Sequence, residues 1–560
     1  MGEIIAFKRP QTSESSKGKT LCKEGHHKWN IVQEKQFFRE HTRRYQLDPD
    51  GLMTWGLLKF LREKNFKTAG NEIKTKIYSA DFGMEAPTNA KIKTFGSRNI
   101  KISGRDNEDN LTGGKGVSLG QGQSVSITST GNIEIFATSD SSQAGDVALE
   151  INSGTTINVN GGTSKTLTIS IATGAADVSG DITGTGNFTK SGAGDLTLSG
   201  TNTYTGDTTV STGTLELTGS LSTSSDLIVS SGATFDLQAT QTVTSLDLDG
   251  TISRSSGTSA LTVSGTSDIG GNITTSGNQL YSGAVLLTGN SILTSSSGAI
   301  TLSSTVNGGS TLTVSSSGNL TTSGIIGGTT PLTSLSATAG GNISYVNNIT
   351  TTGAISLNAE GNVDPNPSSG NITLTTTNSD VTLNADSEGN GTGTFYGNLI
   401  INPGSGNVTI RGATIANEIF QVNGTGTLTI ESNAASFAST FTSSALTEAS
   451  TLTGLTIGKS TNTSTVTMNS EISVAGDVTL YGNLINLNED ITGSGNITIT
   501  AAEDIYINSG FTQIQSTGSD NFIKLLAERN ISNLTNAPSI TLTTNGGDIL
   551  VASDTDNSGG

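Results

Sequence analysis

Short runs in which apolar and polar residues alternate return throughout residues 111–560, and they constrain the fold more than any other feature of the sequence. Thr166–Ile171 and Asp195–Leu198 are typical, with an aliphatic residue at every second position. A period of two residues indicates a β-strand that buries one of its faces. Threonine fills many of the polar positions, and its β-branched side chain favours extended backbone. The sequence therefore predicts an all-β fold for 111–560, with Phe522–Arg529 as the one candidate helix in this segment.

The spacing of these runs distinguishes between β architectures. They return every ~8 to 12 residues. A string of Ig-like sandwiches would have similar spacing, but 111–560 holds only 15 aromatic residues, too few for such cores. In a parallel β-helix, neighbouring coils cover small inward residues, and Gly or Asn corners supply left-handed backbone angles. We therefore expect a long right-handed parallel β-helix of about 20 residues per coil. Gly-Asn-Ile marks turn-to-strand junctions at Gly131–Ile133, Gly271–Ile273, Gly341–Ile343, Gly370–Ile372 and Gly495–Ile497.

Charge divides the chain into two segments. Residues 1–110 contain 21 Lys and Arg against 14 Asp and Glu, whereas 111–560 contain 8 against 33. An acidic solenoid offers no basic groove for phosphates, so the sequence argues against nucleic-acid binding by 111–560. The single cysteine excludes an intramolecular disulfide framework.

The basic segment 1–110 has an unrelated composition, and we expect it to be poorly ordered or partly helical. Cys22, His26, His27 and His41 could nominally bind zinc, but they lack finger-like spacing, so solvated side chains are the favoured interpretation. Residues 52–67 could form a short amphipathic helix, more consistent with a packing face than with a membrane anchor. The abrupt change suggests a fused or rearranged start; an extended leader is the alternative.

Residues 182–217 carry a more specific pattern. Lys190–Gly194, Leu196–Gly200, Asn202–Gly206 and the closing Gly213–Leu215 follow one another in this stretch. The stretch resembles a passenger-associated transport repeat, the autotransporter-associated β-strand repeat of secreted Gram-negative β-helices. The rest of 111–560 is similar, more loosely, to autotransporter passengers and filamentous-haemagglutinin-like adhesins.

The resemblance implies a structural or interaction protein, an adhesin-like passenger at the cell surface, in the outer membrane or outside the cell. Its ligand would be a host cell, another bacterium's surface or a glycan, and an outer-membrane translocator would export it. Residues 1–30 contain no signal-peptide core and the sequence contains no barrel-like strand set, so the expected outer-membrane translocator is absent from this chain. A non-functional passenger fragment that lacks export signals is one alternative.

A β-helical polysaccharide hydrolase or lyase is the other alternative. Glu489 and Asp490 could form paired acids with Glu503 and Asp504 if one coil brought them together. No histidine follows His41, which removes a Ser-His-Asp arrangement from the β-helix. We therefore predict no enzyme activity, no catalytic residues and no cofactor.

Two further binding activities have weak support. Residues 104–116 resemble one nonapeptide of a calcium-binding β-roll, but such sites need tandem copies, so an Asx-rich turn is the favoured interpretation and we predict no metal site. Ice binding through threonine ladders would require Thr-x-Thr in strict coil register, and the spacing of the runs drifts.

Overall fold

The computed structural model describes residues 2–4, 72–76, 90–93, 99–105, 115–120, 124–139, 147–366, 371–416, 420–444, 446–533 and 539–554. These residues form parallel strands and contain no helix. The described part of the chain therefore has no helix that could cross a membrane. The chain divides into two compact units, Met1–Ser259 and Ala260–Gly560.

The described strands of unit 1, apart from Gln241–Val243, lie in three parallel sheets. From Asn99 to Gly184 the chain visits the three sheets in turn, and from Asn187 to Leu237 it alternates between two of them. The strand Gln241–Val243 comes after Thr234–Leu237 along the chain and belongs to none of these three sheets. The first sheet contains Gly2–Ile4, Glu72–Lys76, Asn99–Arg105, Ile133–Thr138, Thr166–Ile171, Asn187–Ser191, Thr208–Val210, Leu227–Val229 and Leu246–Leu248. The second contains Lys115–Leu119, Val147–Ile151, Ala175–Val178, Asp195–Leu198, Thr214–Leu217, Thr234–Leu237 and Thr251–Ser253. The third contains Ala90–Lys93, Val125–Ser129, Thr155–Val159 and Asp181–Gly184.

Unit 2 repeats this plan, and one sheet runs through the whole unit. We call this the through sheet. It contains Asn272–Thr275, Ser291–Ser295, Thr311–Ser316, Ser334–Ala339, Ile355–Ala359, Val381–Asn384, Val408–Arg411, Thr427–Glu431, Gly454–Ile457, Asp477–Gly482, Ile497–Ala501, Ile523–Ala527 and Ile549–Ala552.

The other two faces of unit 2 are each made of more than one sheet. One face contains Ser267–Ile269, Val285–Leu287, Val306–Asn307, Ile349–Thr350, Ile372–Thr375, Leu399–Gly404, Phe420–Gly424 and Leu446–Glu448, then Ile472–Val474, Ile491–Gly493, Gln513–Ser519 and Thr541–Asn545. The other contains Leu261–Val263, Gln279–Tyr281, Ile300–Leu302, Leu320–Thr322, Ile343–Tyr345, Val363–Pro365, Thr394–Phe395 and Thr414–Ile415, then Phe441–Thr442, Val466–Met468, Ile485–Leu487, Asp504–Ile507 and Asn530–Asn533.

This architecture confirms the predicted parallel β-helix. Paired positions such as Leu167 and Phe188 are 21 residues apart, and Phe188 and Thr208 are 20 apart, which matches the expected coil length. The right-handed sense stays a prediction, supported by the right-handed preference of β-crossover-β connections. In unit 1 the ladder includes strands on both sides of residue 111, since Asn99–Arg105 pairs with Ile133–Thr138.

The core consists of columns of aliphatic side chains stacked from coil to coil. Each strand presents every second residue inward, and parallel pairing places these residues directly above one another. The through sheet shows this most clearly. One of its columns contains the buried residues Leu312, Leu335, Ile355, Val381, Val408, Leu428, Leu455, Val478, Ile497 and Ile523, all at most 4% exposed.

The next residues of the same strands form an outward column of hydroxyls. The intervals between successive members vary from 19 to 27 residues, yet the pairing is strict, because the turns take up the difference. The drift in spacing along the sequence therefore does not disturb the register. The outward column is Thr313, Ser336, Ser356, Thr382, Thr409, Thr429, Thr456, Thr479 and Thr498.

The structure corrects two details of the sequence analysis. Phe522–Arg529 contains the strand Ile523–Ala527, not a helix, because Ile523 and Leu525 continue the inward columns above Ile497 and Ile499. Left-handed angles do occur at asparagine corners, with a positive φ at Asn378 and Asn398, but they do not occur at the asparagines of Gly-Asn-Ile.

Those asparagines connect neighbouring coils instead. Asn342 Oδ1 accepts a hydrogen bond from Asn362 N at 2.8 Å, and Asn362 Oδ1 accepts one from Thr394 N at 2.8 Å. Asn132, Asn272 and Asn496 accept the same bond from the coil above. The motif thus marks a side chain that accepts a hydrogen bond from a backbone N–H of the next coil, near the start of a strand.

Candidate functional site

The stretch 188–217 combines four short strands with an unusual set of buried polar side chains. Asn187–Ser191 pairs with Thr208–Val210, and Asp195–Leu198 pairs with Thr214–Leu217, so the stretch spans parts of two successive coils. The inward positions Phe188, Leu196, Leu198, Val210 and Leu215 are fully buried. We call residues 188–217 the repeat segment.

Glycines allow the turns of this segment to stack on neighbouring turns. A Cβ atom added at Gly200 would lie 2.4 Å from Gly180 O, and one added at Gly219 would lie 2.2 Å from Gly200 O. A Cβ at Gly206 would lie 2.5 Å from Gly186 O. These contacts are to backbone atoms, which cannot swing away as the end of a flexible side chain can. The recurring glycines are therefore needed for close approach of the coils.

Tyr204 anchors a buried hydroxyl chain. Its ring lies 5.9 Å from the Phe188 ring, centroid to centroid, and its Oη is 2.6 Å from Thr208 Oγ1. Thr208 Oγ1 is 2.9 Å from Ser225 Oγ, which donates to Gly206 O at 2.8 Å. Burial raises the pKa of Tyr204, so the phenol stays protonated and can donate. The chain of bonds connects two successive coils through buried hydroxyl groups.

Lys190 is a buried cation in the same segment. Its side chain is completely inaccessible, and its Nζ donates to Gly192 O at 2.8 Å and to Thr212 O at 2.9 Å. Burial lowers the pKa of Lys190 to about 8, and the nearby Asp195 carboxylate partly opposes the shift. The ammonium group thus satisfies carbonyl oxygens from two successive coils.

Asn202 connects the segment to the coils on both sides. Its Oδ1 accepts a hydrogen bond from Ile182 N at 3.1 Å, and its Nδ2 donates to Ser220 O at 3.0 Å. The side chain is 1% exposed. A buried amide that bonds above and below in this way replaces a pair of ladder hydrogen bonds.

The acids considered for glycoside hydrolysis bind separate turns. Asp490 accepts bonds from Thr512 N at 2.6 Å and Gln513 N at 2.8 Å, whereas Asp504 accepts one from Arg529 Nη2 at 2.6 Å. Burial raises the pKa of Asp490, but its hydrogen bonds outweigh this and the net shift is downward. The Arg529 hydrogen bond holds the pKa of Asp504 below its usual value. A general acid needs a raised pKa, so both arrangements fit turn stabilisation better than acid catalysis.

Most of the candidate features predicted for the basic segment and for the calcium-like turn lie outside the residues that the structure describes. Cys22, His26, His27 and His41, the amphipathic stretch 52–67, and 106–114 of the calcium-like turn all lie outside the described residues. Within the described ranges, no group of three or more His, Cys, Asp or Glu side chains is placed to hold a metal ion.

The sequence analysis identified the repeat segment but not its buried side chains. Lys190 and Tyr204 stood out only as parts of a pattern, because the bonds of Lys190 to Thr212 O and of Thr208 to Ser225 join residues one coil apart. One signal in the sequence could have revealed them. Lys190 and Thr208 are polar residues at positions where the apolar–polar alternation of the strand calls for an inward side chain.

Comparison with known proteins gives one match. The family model of the passenger-associated-transport-repeat matches residues 188–217. No curated protein and no solved structure matches the chain. The match covers the two stacked coil segments that hold Lys190 and Tyr204. Residues 188–217 are thus a passenger-associated transport repeat, the repeat of autotransporter passengers.

Proposed function

We propose that the chain is an autotransporter passenger that acts as an adhesin-like β-helix at the cell surface or outside the cell. It would contact a host cell, another bacterium or a glycan, and it would need an outer-membrane translocator for export. The match at 188–217 carries the proposal, since such a repeat implies a secreted or surface-exposed protein.

The outer surface of the coils supports an interaction role. The outward column from Thr313 to Thr498 in the through sheet presents hydroxyls on nine successive strands, and none of its members is charged. Hydroxyl groups both donate and accept hydrogen bonds, so they suit neutral polar ligands such as glycans. We expect contact to be spread along such surfaces rather than concentrated at one pocket.

A non-catalytic role is part of the proposal. Asp490 and Asp504 are engaged by donors from the following coil, and both have lowered pKa values. A carboxyl group that stays ionised cannot protonate a leaving sugar oxygen. The β-helical hydrolase or lyase remains the competing function, and one assay separates the two.

The test uses the purified full chain immobilised on beads. The beads are incubated with host cells, bacterial cells and purified polysaccharides, and both retention and the release of new sugar ends are measured. We expect retention without release. The matched control is Phe235→Asp, which places a charge at a fully buried core position and should abolish folding and retention together. Release of sugar ends by the native chain, lost in Asp504→Asn, would establish the enzyme instead.

A further inference from the structure

A tight loop leaves the through sheet after Val381–Asn384 and returns to the neighbouring face at Thr394–Phe395. Gly389 N donates to Asp386 O at 2.8 Å, which closes the loop. A Cβ added at Gly393 would lie 2.3 Å from Asp386 N, so the loop closes too tightly for any larger residue there. The loop holds its groups in a defined arrangement even though several of its residues are exposed.

Asp386 is a fully buried acid inside this loop. Its exposed fraction is 0%, and its carboxylate accepts the Gly391 N–H, at 3.0 Å on Oδ2 and 3.2 Å on Oδ1. A buried carboxylate is unfavourable unless its bonds offset the loss of water. Other turns of unit 2 use Asn or Asp to bond the next coil, whereas this carboxylate faces a backbone amide of its own loop.

The residue before Gly391 is Asn390, whose side-chain carbonyl is also held. Thr392 N donates to Asn390 Oδ1 at 3.0 Å, and Thr392 Oγ1 donates to the same oxygen at 2.5 Å. Donors on a carbonyl oxygen stabilise the negative charge that develops when a nucleophile adds to its carbon. Asn390 itself is exposed, so water and departing ammonia have free access.

We propose that Asn390–Gly391 is a self-modification site at which Asp386 promotes deamidation of Asn390. The Gly391 nitrogen attacks Asn390 Cγ while its proton passes to the Asp386 carboxylate. The tetrahedral intermediate then collapses: the Cγ–Nδ2 bond breaks, Asp386 returns the proton to the leaving nitrogen, and ammonia departs. This leaves a five-membered succinimide. Water opens either carbonyl of the ring, giving aspartate or isoaspartate, so the net reaction consumes one water and releases one ammonia.

Each participant matches a requirement of this chemistry. The nucleophile is a glycine amide, which carries no Cβ to hinder ring closure, and Gly391 has a φ of +85°. The base is in contact with the proton it must remove, as general-base catalysis requires. The product adds a negative charge next to a buried carboxylate, and like charges repel. The modification would therefore loosen the loop as the protein ages.

Two of the other Asn-Gly pairs, Asn307-Gly308 and Asn423-Gly424, provide internal controls because hydrogen bonds to neighbouring coils hold them in place. Gly308 N donates to the Thr330 backbone carbonyl at 3.2 Å, and Asn307 Oδ1 accepts Thr329 N at 2.9 Å. Asn423 and Gly424 end the strand Phe420–Gly424, and Gly424 pairs with Gly404. In both pairs the asparagine side chain is hydrogen-bonded to a neighbouring coil, through Thr329 N for Asn307 and through Asn402 Oδ1 for Asn423.

The experiment incubates the full chain at neutral pH, folded and in denaturant, and follows each Asn-Gly peptide by mass spectrometry. Incorporation of heavy oxygen from labelled water confirms hydrolysis, and fragmentation separates isoaspartate from aspartate. In the folded chain we expect Asn390 to react at least about tenfold faster than Asn307 and Asn423, given the size of general-base effects. Its rate should also equal or exceed its rate in denaturant. A folded-state rate no higher than those of the two controls would overturn the proposal.

One variant tests the base, and a second tests the hydroxyl donor to the Asn390 carbonyl oxygen. Asp386→Asn should lower the Asn390 rate about tenfold in folded protein, because an amide cannot accept the proton. If this variant unfolds, Thr392→Val serves instead, since it removes one exposed donor and should slow the reaction by a smaller factor. An unchanged rate in a folded Asp386→Asn chain, or in Thr392→Val where the first variant unfolds, would overturn the proposal.

Discussion

The repeat segment of unit 1 and the coils at 355–408 of unit 2 solve the same folding problem with different coil lengths. Around the repeat segment, paired residues are 19 to 21 positions apart, whereas Ile355 to Val381 and Val381 to Val408 span 26 and 27. The paired strands have similar lengths in both regions. The extra residues therefore enter the turns. This changes where the polar side chains make their hydrogen bonds.

In the short coils, polar groups lie in the interior. Lys190 and Tyr204 bond to neighbouring turns from buried positions, and glycines let the turns touch. In the long coils, a turn such as 385–393 is large enough to hold its own bonding pattern, with Asp386 and Asn390 inside one loop. Short coils thus favour polar bonds between coils, and long coils leave room for loops with hydrogen bonds of their own.

The largest effect is expected from removing an aromatic side chain of the repeat segment. Phe188→Ala should lower the free energy of unfolding of its coils by about 3–5 kcal/mol, because it deletes a buried ring and leaves a cavity. Native-state hydrogen exchange measures the loss locally. The matched control Phe136→Ala removes an outward ring that is 42% exposed and should cost less than about 0.5 kcal/mol. Equal losses in the two variants would contradict the assigned faces.

The stacking of short turns can be tested by adding one methyl group. Gly200→Ala should cost about 1–3 kcal/mol, because its Cβ would meet the Gly180 backbone. Gly309→Ala in unit 2 is the control, since no atom lies within 4 Å of its added Cβ, and its effect should stay within about 0.5 kcal/mol. Denaturant midpoints of both variants provide the comparison, and a harmless Gly200→Ala would argue against close turn contact.

The buried Lys190 should make the free energy of unfolding of the repeat segment depend on pH. Its folded pKa of about 8 lies below the unfolded value of 10.5, so between these values the unfolded chain binds more protons. Stability should therefore rise as the pH increases from about 8 to 10.5, by on the order of 1–3 kcal/mol. Lys190→Met removes the titrating group and should abolish this rise. A rise of the same size in the variant would assign the effect to other groups.

The smallest effect concerns the asparagines that connect coils. Asn342→Ala leaves the Asn362 N–H without its acceptor and should cost about 0.5–1.5 kcal/mol by thermal or denaturant unfolding. Asn342→Asp keeps an acceptor oxygen and should recover most of the loss. If the two variants lose the same stability, the hydrogen bond to the next coil is not the reason for the motif.

The strands could be predicted from sequence because the signal is local. Asp195–Leu198 and Thr166–Ile171 alternate within a few residues, and the structure makes both of them strands. The transport repeat could be recognised for the same reason. The error at Phe522–Arg529 arose because Leu525, Leu526 and Ala527 favour helix, whereas the column above Ile499 requires an extended strand at Leu525.

The polar interior could not be predicted because it depends on which residues meet across coils. Thr212 O is the partner of Lys190 at a separation of 22 residues, and the sequence does not show this register in advance. The outward hydroxyl column was missed for a related reason. Its members are unevenly spaced in sequence, and only the folding of turns of different lengths brings them into line.

The measurement that tests the central claim most directly is the location of the native chain in its own organism. Intact cells and culture medium would be separated, the cells treated with protease, and peptides from 147–366 and 446–533 quantified in each fraction. An autotransporter passenger should be recovered in the medium or be removed from intact cells by protease. Recovery only inside protease-treated cells would contradict the assignment of this β-helix as a surface-exposed passenger.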